Sequence, residues 1–332
     1  MSVPLGAAGA VETGLLAAVR SGDEDAFRAL TEPYLSELRL HCYRMLGSLH
    51  DAEDALQETL VRAWRHLGRF EGRGTFRAWL YRIATNVCLS AAVRRRTGDE
   101  PLHLAPIPDA LLDELASTEG SPAARYDLQE SIQLAFLAAI QLLPPRQRAV
   151  LILRDVLAWS ASEAADLLDV SEASVNSSLQ RARSSLEQER REGRLATGRR
   201  VPSNAAEPSL LRRFVTAWEA VDIEGLVALL KEDAVLTMPP FPMRFVGREA
   251  IGEFFARVPA GGALDRIHLV SMHANRQPAV AAYMLDPKEG THRAYGLMVL
   301  ALDGEAIGEI TGFSDPSLFP SFGLPMRYET ED

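Results

Sequence analysis

The sequence predicts a multidomain protein: two all-α domains, the second with a helix-turn-helix, followed by an α+β domain. Three observations lead there. The 332 residues are more than one hydrophobic core organises. Apolar residues recur at helical spacing through both halves of Asp25–Glu192. From Pro208 onward, helices give way to short strand-like runs. With 47% apolar and 24% charged residues, wholesale disorder is excluded. Apolar runs such as Ala135–Ile140 are far shorter than the ~20 residues that cross a bilayer, and the N-terminus lacks a signal peptide's pattern. Cys42 and Cys88 are the only cysteines, too few for a disulfide framework or a thiolate zinc site. A cytoplasmic protein without metal, other cofactor or membrane contact is expected.

The first helical domain is placed at residues 15–97. Phe27, Leu30, Tyr34, Leu38, Tyr43 and Leu46 give helical spacing over Asp25–Leu46. Ser48 and Asp51 resemble a capping box opening a helix to about Leu67, with Ala52, Leu56, Leu60, Ala63 and Leu67 inward and Asp51, Asp54 and Glu58 outward. Gly72 and Gly74 precede a helix over Thr75–Arg96, with Phe76, Leu80, Ile83, Val87 and Trp79 on its buried side. Residues 98–121 read as a linker, with prolines, acids and no sustained period.

The second helical domain spans 122–192. Pro144-Pro145 opens one helix, Ser160 and Glu163 cap a short one, and Ser171 caps a longer one. After a basic linker at 193–207, the third domain is placed at 208–325: helices at Leu210–Ala220, Ile223–Leu230 and Glu249–Arg257, a run at Ala234–Met238, and antiparallel strands at Arg266–Met272, Ala279–Leu285, Arg293–Leu302 and Ile307–Phe313.

The net charge of −10 looks wrong for a nucleic-acid binder until it is divided along the chain. Residues 1–205 carry −3 and residues 206–332 carry −7. Leu60–Thr97 holds nine arginines and one acid, whereas Gly98–Gly120 holds six acids and no Lys or Arg. Neither block is needed to build a core, so the segregation points to partners. The basic block also contains Trp64, Phe70, Phe76, Trp79 and Tyr81 beside a Gly-rich loop, a combination suited to gripping phosphates and stacking on unpaired bases. Ser160–Leu179 has the helix-turn-helix pattern, with Ala165, Val170, Val175 and Leu179 inward; a plain helical hairpin is the competing reading. Glu172, Ser174, Asn176, Ser178 and Arg181 would face a major groove.

Asp51-Ala52-Glu53-Asp54-Ala55-Leu56-Gln57-Glu58-Thr59-Leu60-Val61-Arg62-Ala63-Trp64 resembles the core-polymerase-binding helix of extracytoplasmic-function (ECF) sigma factors of the sigma-70 family. Phe70-Glu71-Gly72 and Phe76–Asn86 resemble their −10 segment. Leu143-Pro144-Pro145-Arg146-Gln147-Arg148 and the helix-turn-helix resemble their −35-reading region. The resemblance implies two partners, the bacterial RNA polymerase core enzyme and promoter DNA. It implies polymerase contacts at Asp51, Glu53, Asp54, Gln57, Glu58, Val61 and Trp64. It implies −10 contacts at Arg69, Arg73, Thr75, Arg77, Trp79, Arg82, Asn86 and Arg94-Arg95-Arg96, and −35 contacts at Ser171, Glu172, Ser174, Asn176, Ser178 and Arg181. Many members place Lys or Arg where this chain has Asn176 and Ser178, which should weaken phosphate binding there. In the family the linker threads toward the polymerase active centre, and Asp99, Glu100, Asp109, Asp113, Glu114 and Glu119 would suit a basic channel; a solvated tether is the other reading.

The third domain resembles the cone-shaped SnoaL-like fold, through Trp218–Asp222, Ala234–Pro240 and Phe245–Arg248. That implies an apolar pocket, for which Trp218, Met238, Phe254, Tyr283, Tyr295 and Phe313 are candidates, and a small apolar ligand as a further partner. Asp265, His268, His273, His292 and Asp315 are available as bases, but no spacing singles out a pair. The leading expectation is a non-enzymatic sigma factor whose C-terminal domain regulates it, with Phe319 and Phe322 as candidate contacts to the sigma domains or as seals of the cone's mouth. The alternative is a bifunctional protein whose third domain is a small-molecule enzyme or ligand sensor.

Overall fold

The computed structural model describes residues 5–70, 72, 74–96, 104–116, 131–191 and 207–329. The chain forms two compact units, Met1–Asp99 with Gln141–Ser185, and Glu100–Ile140 with Leu186–Asp332.

In the first unit, α1 (Leu5–Arg20), α2 (Glu24–Thr31), α3 (Leu35–Leu46), α4 (Leu49–His66) and α5 (Phe76–Arg96) form one bundle. The continuous helix expected over Asp25–Leu46 is broken by a 3-10 turn at Glu32–Tyr34, because Pro33 cannot donate to the helical ladder. The inward stripe of α4 uses Thr59, whose hydroxyl donates to the Ala55 carbonyl at 2.6 Å, while Leu60 is only half-buried. Trp79 is likewise half-buried beside the buried Phe76. The next two helices along the chain, α6 (Asp109–Ala116) and α7 (Leu134–Gln141), fall in the second unit up to Ile140. The chain then returns to the first unit with α8 (Pro145–Leu151), which runs into a π-helical turn at Ile152–Val156, α9 (Ala161–Leu168) and α10 (Glu172–Arg191). The Ser160–Glu163 capping box is complete, and Asp169 (φ 56°) takes the left-handed position that makes the tight turn.

His41 on α3 is fully buried, its Nε2 2.9 Å from Thr85 Oγ1 on α5. Burial, then the charges of Arg44 and Arg77, lower its pKa to about 3. The folded state therefore holds a neutral ring that the unfolded chain protonates below its ordinary value of 6.5. Stability should be fully present above that value and fall between pH 6.5 and 3, by roughly 4–5 kcal/mol at full titration. Melting temperatures across this range should fall less steeply for His41→Gln; an unchanged acid profile would rule out His41 as the cause.

In the second unit, α11 (Glu207–Glu219), α12 (Ile223–Ala228) and α13 (Arg248–Arg257) pack with a seven-stranded sheet. Its strands are β1 (Leu230–Thr237), β2 (Arg244–Val246), β3 (Ile267–Ala274), β4 (Gln277–Asp286), β5 (Thr291–Asp303), β6 (Ala306–Phe313) and β7 (Arg327–Tyr328), in the order β2-β1-β6-β5-β4-β3, with β7 also on β5. The sheet is mixed rather than antiparallel throughout, because β1 pairs β6 in parallel. The domain runs past Pro325, since β7 places Arg327 opposite Arg293. The core joins Leu211, Phe214 and Trp218 of α11 to Phe254 and Phe255 of α13, and to Ile267, Leu269, Val280, Leu300 and Ile310 of the sheet.

The acidic linker is not a bare tether over its described part. Leu104, Ile107 and Leu112 are buried, and α6 follows Pro108. Residues 131–140, including most of α7, group with the same unit.

Candidate functional site

Helix α4 presents one continuous polar face. Glu53, Asp54, Gln57, Glu58 and Val61 are exposed, and Asp51 is half-buried in the first turn. Glu58 pairs with Arg62 at 2.7 Å, and His50 lies 3.8 Å from Asp54. Trp64 is half-buried, edge-on to Phe27 at 5.2 Å, so its ring braces α4 against α2.

On α5 and the loop before it, Thr75, Arg82, Asn86 and Arg94 are exposed. Thr75 Oγ1 accepts from the Ala78 N–H at 3.1 Å and so caps the helix. Trp79 packs against Phe70 (5.4 Å) and Phe76 (5.6 Å). Arg73 lies outside the described residues, as do the side chains of Arg69, Arg95 and Arg96. Arg77 is held on the protein: it donates to both oxygens of Glu37 and sits 4.9 Å over the Tyr81 ring and 5.8 Å from that of Trp159. Burial would lower its pKa, but the hydrogen bonds and charge of Glu37 more than offset this and raise it. Trp159 also meets Tyr81 at 5.3 Å, so the segment preceding the helix-turn-helix covers part of the α5 surface.

A second lock lies nearby. The buried Arg148 guanidinium donates to the Met45 carbonyl at the end of α3, to both Gln141 oxygens and to the Leu143 carbonyl. Gln141 Nε2 donates to the Arg44 carbonyl at 3.0 Å. A cation at a helix C-terminus is well placed for the helix dipole.

The helix-turn-helix packs as expected, with Ala165, Val175 and Leu179 buried and Val170 half-buried in the turn. Ser171, Glu172, Asn176 and Arg181 are exposed, and Ser174 and Ser178 half-buried. Ser171 Oγ accepts from the Ser174 N–H (3.2 Å), so Ser171 acts as a cap; Arg181 donates to Ser178 (3.2 Å).

The most specific polar constellation was not visible in the sequence. The β3–β4 hairpin turns through Asn275 and Arg276, both at positive φ (55° and 57°). Asn275 Oδ1 accepts from the Ile107 N–H at 2.9 Å, and its Nδ2 donates to the Ile132 carbonyl at 2.7 Å. The Asn275 N–H donates to the Ile107 carbonyl (3.0 Å), and Pro108 bridges to Ala274. Gln277 Oε1 accepts from the Leu134 N–H (3.1 Å). Asp109 accepts from the Arg276 N–H at 2.7 Å, and Asp113 pairs with its guanidinium at 2.7 Å. Burial raises the Asp109 pKa against the pull of Arg276. One hairpin tip thus grips two linker segments.

In the third domain, Trp218, Met238, Phe254, Tyr295 and Phe313 line a cavity together with Leu236, Ile267, Ala282 and Ile310. Tyr283 does not. It alternates to the other face of β4, where it packs on Phe319 (5.0 Å) and Tyr328 (5.1 Å). Phe319 is fully buried there, so it is neither a free contact surface nor a wall of the cavity; Phe322 is half-buried. None of the candidate bases lines the cavity either: His268 lies 3.6 Å from Glu219, His273 lies 2.8 Å from Glu207, and Asp315 accepts from the Ser317 N–H. Among the described residues no group of His, Cys, Asp and Glu could hold a metal, and no helix is long and apolar enough to cross a membrane.

Comparison with known proteins agrees with this architecture. Residues 30–97 match the Sigma-70 region 2 model, 133–186 the Sigma-70 region 4 model, and 211–307 the SnoaL-like domain model. The ECF RNA polymerase sigma factor SigG of Mycobacterium tuberculosis is 41% identical, over 92% of this chain and 85% of its own length. SigW of Bacillus subtilis is 30% identical over 52% of this chain and 94% of its own length. The crystal structure of the Mycobacterium tuberculosis ECF sigma factor SigJ has the same fold, with a TM-score of 0.60 and 20% identity over 90% of this chain and 99% of that one. The chain belongs to the extracytoplasmic-function sigma factors of the sigma-70 family, in a form that carries a SnoaL-like domain after its sigma regions.

Proposed function

We propose that this sigma factor restrains itself, with its C-terminal domain tying off the connector between its two sigma regions. As a sigma factor it binds core RNA polymerase and directs promoter-specific initiation. The exposed face of α4 serves the polymerase, the exposed side chains of α5 the −10 element, and the start of α10 the −35 element. The observation that carries the regulatory part is the side chain of Asn275 joined to Ile107 and Ile132.

The two bonds hold those backbone atoms within roughly 8 Å of each other. Released, the 24 residues between them could extend to at most roughly 80 Å. The −10 and −35 elements have centres about 25 base pairs apart, roughly 85 Å along B-form DNA. Region 2 and the Gln141–Ser185 part of region 4 lie in one compact unit, latched by Arg148 to Met45 and by Trp159 to Tyr81. Both promoter elements can be reached together only when those latches part and the connector is let go. Asp113, paired with the Arg276 guanidinium, and Asp109, held by the Arg276 N–H, are then released as free carboxylates that suit a basic channel.

The third domain is not a catalyst in this reading. Its cavity has no carboxylate, histidine or lysine in its lining among the described residues, which leaves the Tyr295 phenol as its one titratable side chain, a weak base near neutral pH. A small apolar ligand is compatible with the cavity. Run-off transcription with purified core polymerase tests the proposal: a chain ending at Pro202 should be roughly 10-fold or more as active as the full chain at equal, limiting concentration. Equal activity from two folded proteins would overturn the restraint.

A further inference from the structure

We infer that Glu37 determines the specificity of the −10 contact by holding Arg77 side-on and cancelling its charge. Arg77 then serves DNA as a fork that reads guanine, not as a grip on phosphate. This role rests on α5 serving the −10 element, and the experiment distinguishes failure of that reading from failure of the role.

The two side chains meet from neighbouring helices, Glu37 in the first turn of α3 and Arg77 in the first turn of α5. Arg77 Nε donates to both Glu37 oxygens at 2.9 Å, and Nη2 donates to Oε2 at 2.6 Å. The Tyr81 hydroxyl donates to the same Oε2 at 3.3 Å. Burial, then the charge of Glu37, raises the Tyr81 pKa, so the phenol stays protonated and able to donate. The guanidinium lies 4.9 Å over the Tyr81 ring, which fixes its plane. One edge of the guanidinium is therefore spent. Nη1 donates to no described residue, and the Arg77 side chain is 40% exposed. What remains is the end-on fork of Nη1 and Nη2, which suits two adjacent acceptors such as guanine O6 and N7.

Charge decides what that fork prefers. A phosphate contact draws its strength from a cation that displaces counterions, and Glu37 already neutralises Arg77. Arg82, exposed on the same helix, pairs with no acid among the described residues and keeps its full charge for phosphate. Fastening α3 to α5 does not require the Glu37–Arg77 pair. The bundle already buries Leu38 on α3 and Phe76 and Leu80 on α5, and a partly exposed ion pair adds little stability. Trp159, 5.8 Å from Arg77, belongs to region 4, whereas Glu37, Arg77 and Tyr81 all belong to region 2. The pair therefore stays intact when the two regions part.

The test uses the full chain assembled with core polymerase, and DNA randomised through the −10 element, read by selection and by the salt dependence of binding. The unaltered holoenzyme should favour guanine about 10-fold at one −10 position. Arg77→Lys keeps the charge and loses the fork, so it should remove that preference and leave the slope of log K against log salt unchanged. Glu37→Gln frees the charge of Arg77. The slope should then steepen by roughly 0.7–0.9, binding to non-promoter DNA should tighten, and the guanine preference should fall to about 2–3-fold. The double variant Glu37→Gln with Arg77→Gln should return the slope to that of the unaltered chain. Glu37→Ala, which preserves the helix propensity of α3, carries the same expectations should Glu37→Gln fold poorly. An unchanged slope in a folded Glu37 variant, with the preference still lost in Arg77→Lys, would overturn the role of Glu37 and leave α5 on the −10 element. Full base preference in Arg77→Lys would remove Arg77 from base reading and overturn the role with it.

Discussion

Replacing Asn275 with glycine should raise run-off transcription by roughly 10-fold or more at limiting sigma concentration, without disturbing either sigma region. Glycine is chosen because Asn275 sits at φ 55°, where alanine would add strain and confound the result. The substitution removes two buried hydrogen bonds and leaves the Ile107 N–H and the Ile132 carbonyl without their partners. Each unsatisfied buried group costs about 1–3 kcal/mol, and each 1.4 kcal/mol moves a two-state population tenfold. Loss of the clasp therefore shifts the balance toward the extended arrangement by roughly one to four orders of magnitude, capped by the fraction already extended. Amide hydrogen exchange gives a second measure: protection at Ile107 and Leu134 should fall, while protection in the β5–β6 pair should hold. Faster exchange with unchanged transcription would separate the clasp from regulation; unchanged exchange would show that Asn275 does not hold the connector.

Much of this architecture was legible in the chain because its causes are local. The Ser160–Glu163 capping box, the double proline before α8 and the two-residue alternation of β3–β6 are each set by neighbours within a few residues. Five of the six cavity residues were legible for a similar reason, as aromatic or methionine side chains near element ends. Tyr283 failed on a single step of alternation, since its neighbour Ala282 takes the inward place beside a register shift in the β4–β5 pair. The clasp could not be read at all. Asn275 lies 168 residues from Ile107 and 143 from Ile132, and a polar hairpin tip looks the same in sequence whether it meets water or a linker. The apolar residues Leu104, Ile107 and Leu112 were also hidden, because the prolines around them erase any period. The role of Glu37 was hidden in the same way: an acid on α3 acquires meaning only when folding sets Arg77 and Tyr81 beside it.

The latch inside the first unit should be as sensitive as the clasp, and Arg148 is where it breaks. Its guanidinium is buried and divides its donors among the Met45, Gln141 and Leu143 carbonyls and the Gln141 side chain. Arg148→Met keeps the length of the side chain and removes the fork. The carbonyls are then left short of a donor, and a network of this burial costs about 3–5 kcal/mol when one partner is lost. Two consequences can be told apart. Where the network mainly builds region 4, the variant loses helix content and melts early without binding the −35 element. Where it mainly joins region 4 to α3, the helices survive, the scattering radius of the chain grows, and the Arg77 surface beside Trp159 becomes open to DNA. The second outcome is expected, because Met45 and Arg44, the acceptors on α3, lie about a hundred residues from Arg148 and Gln141 and belong to region 2. Small-angle scattering with far-UV circular dichroism on the same sample decides it: an unchanged radius with intact helices would show that Arg148 holds neither junction.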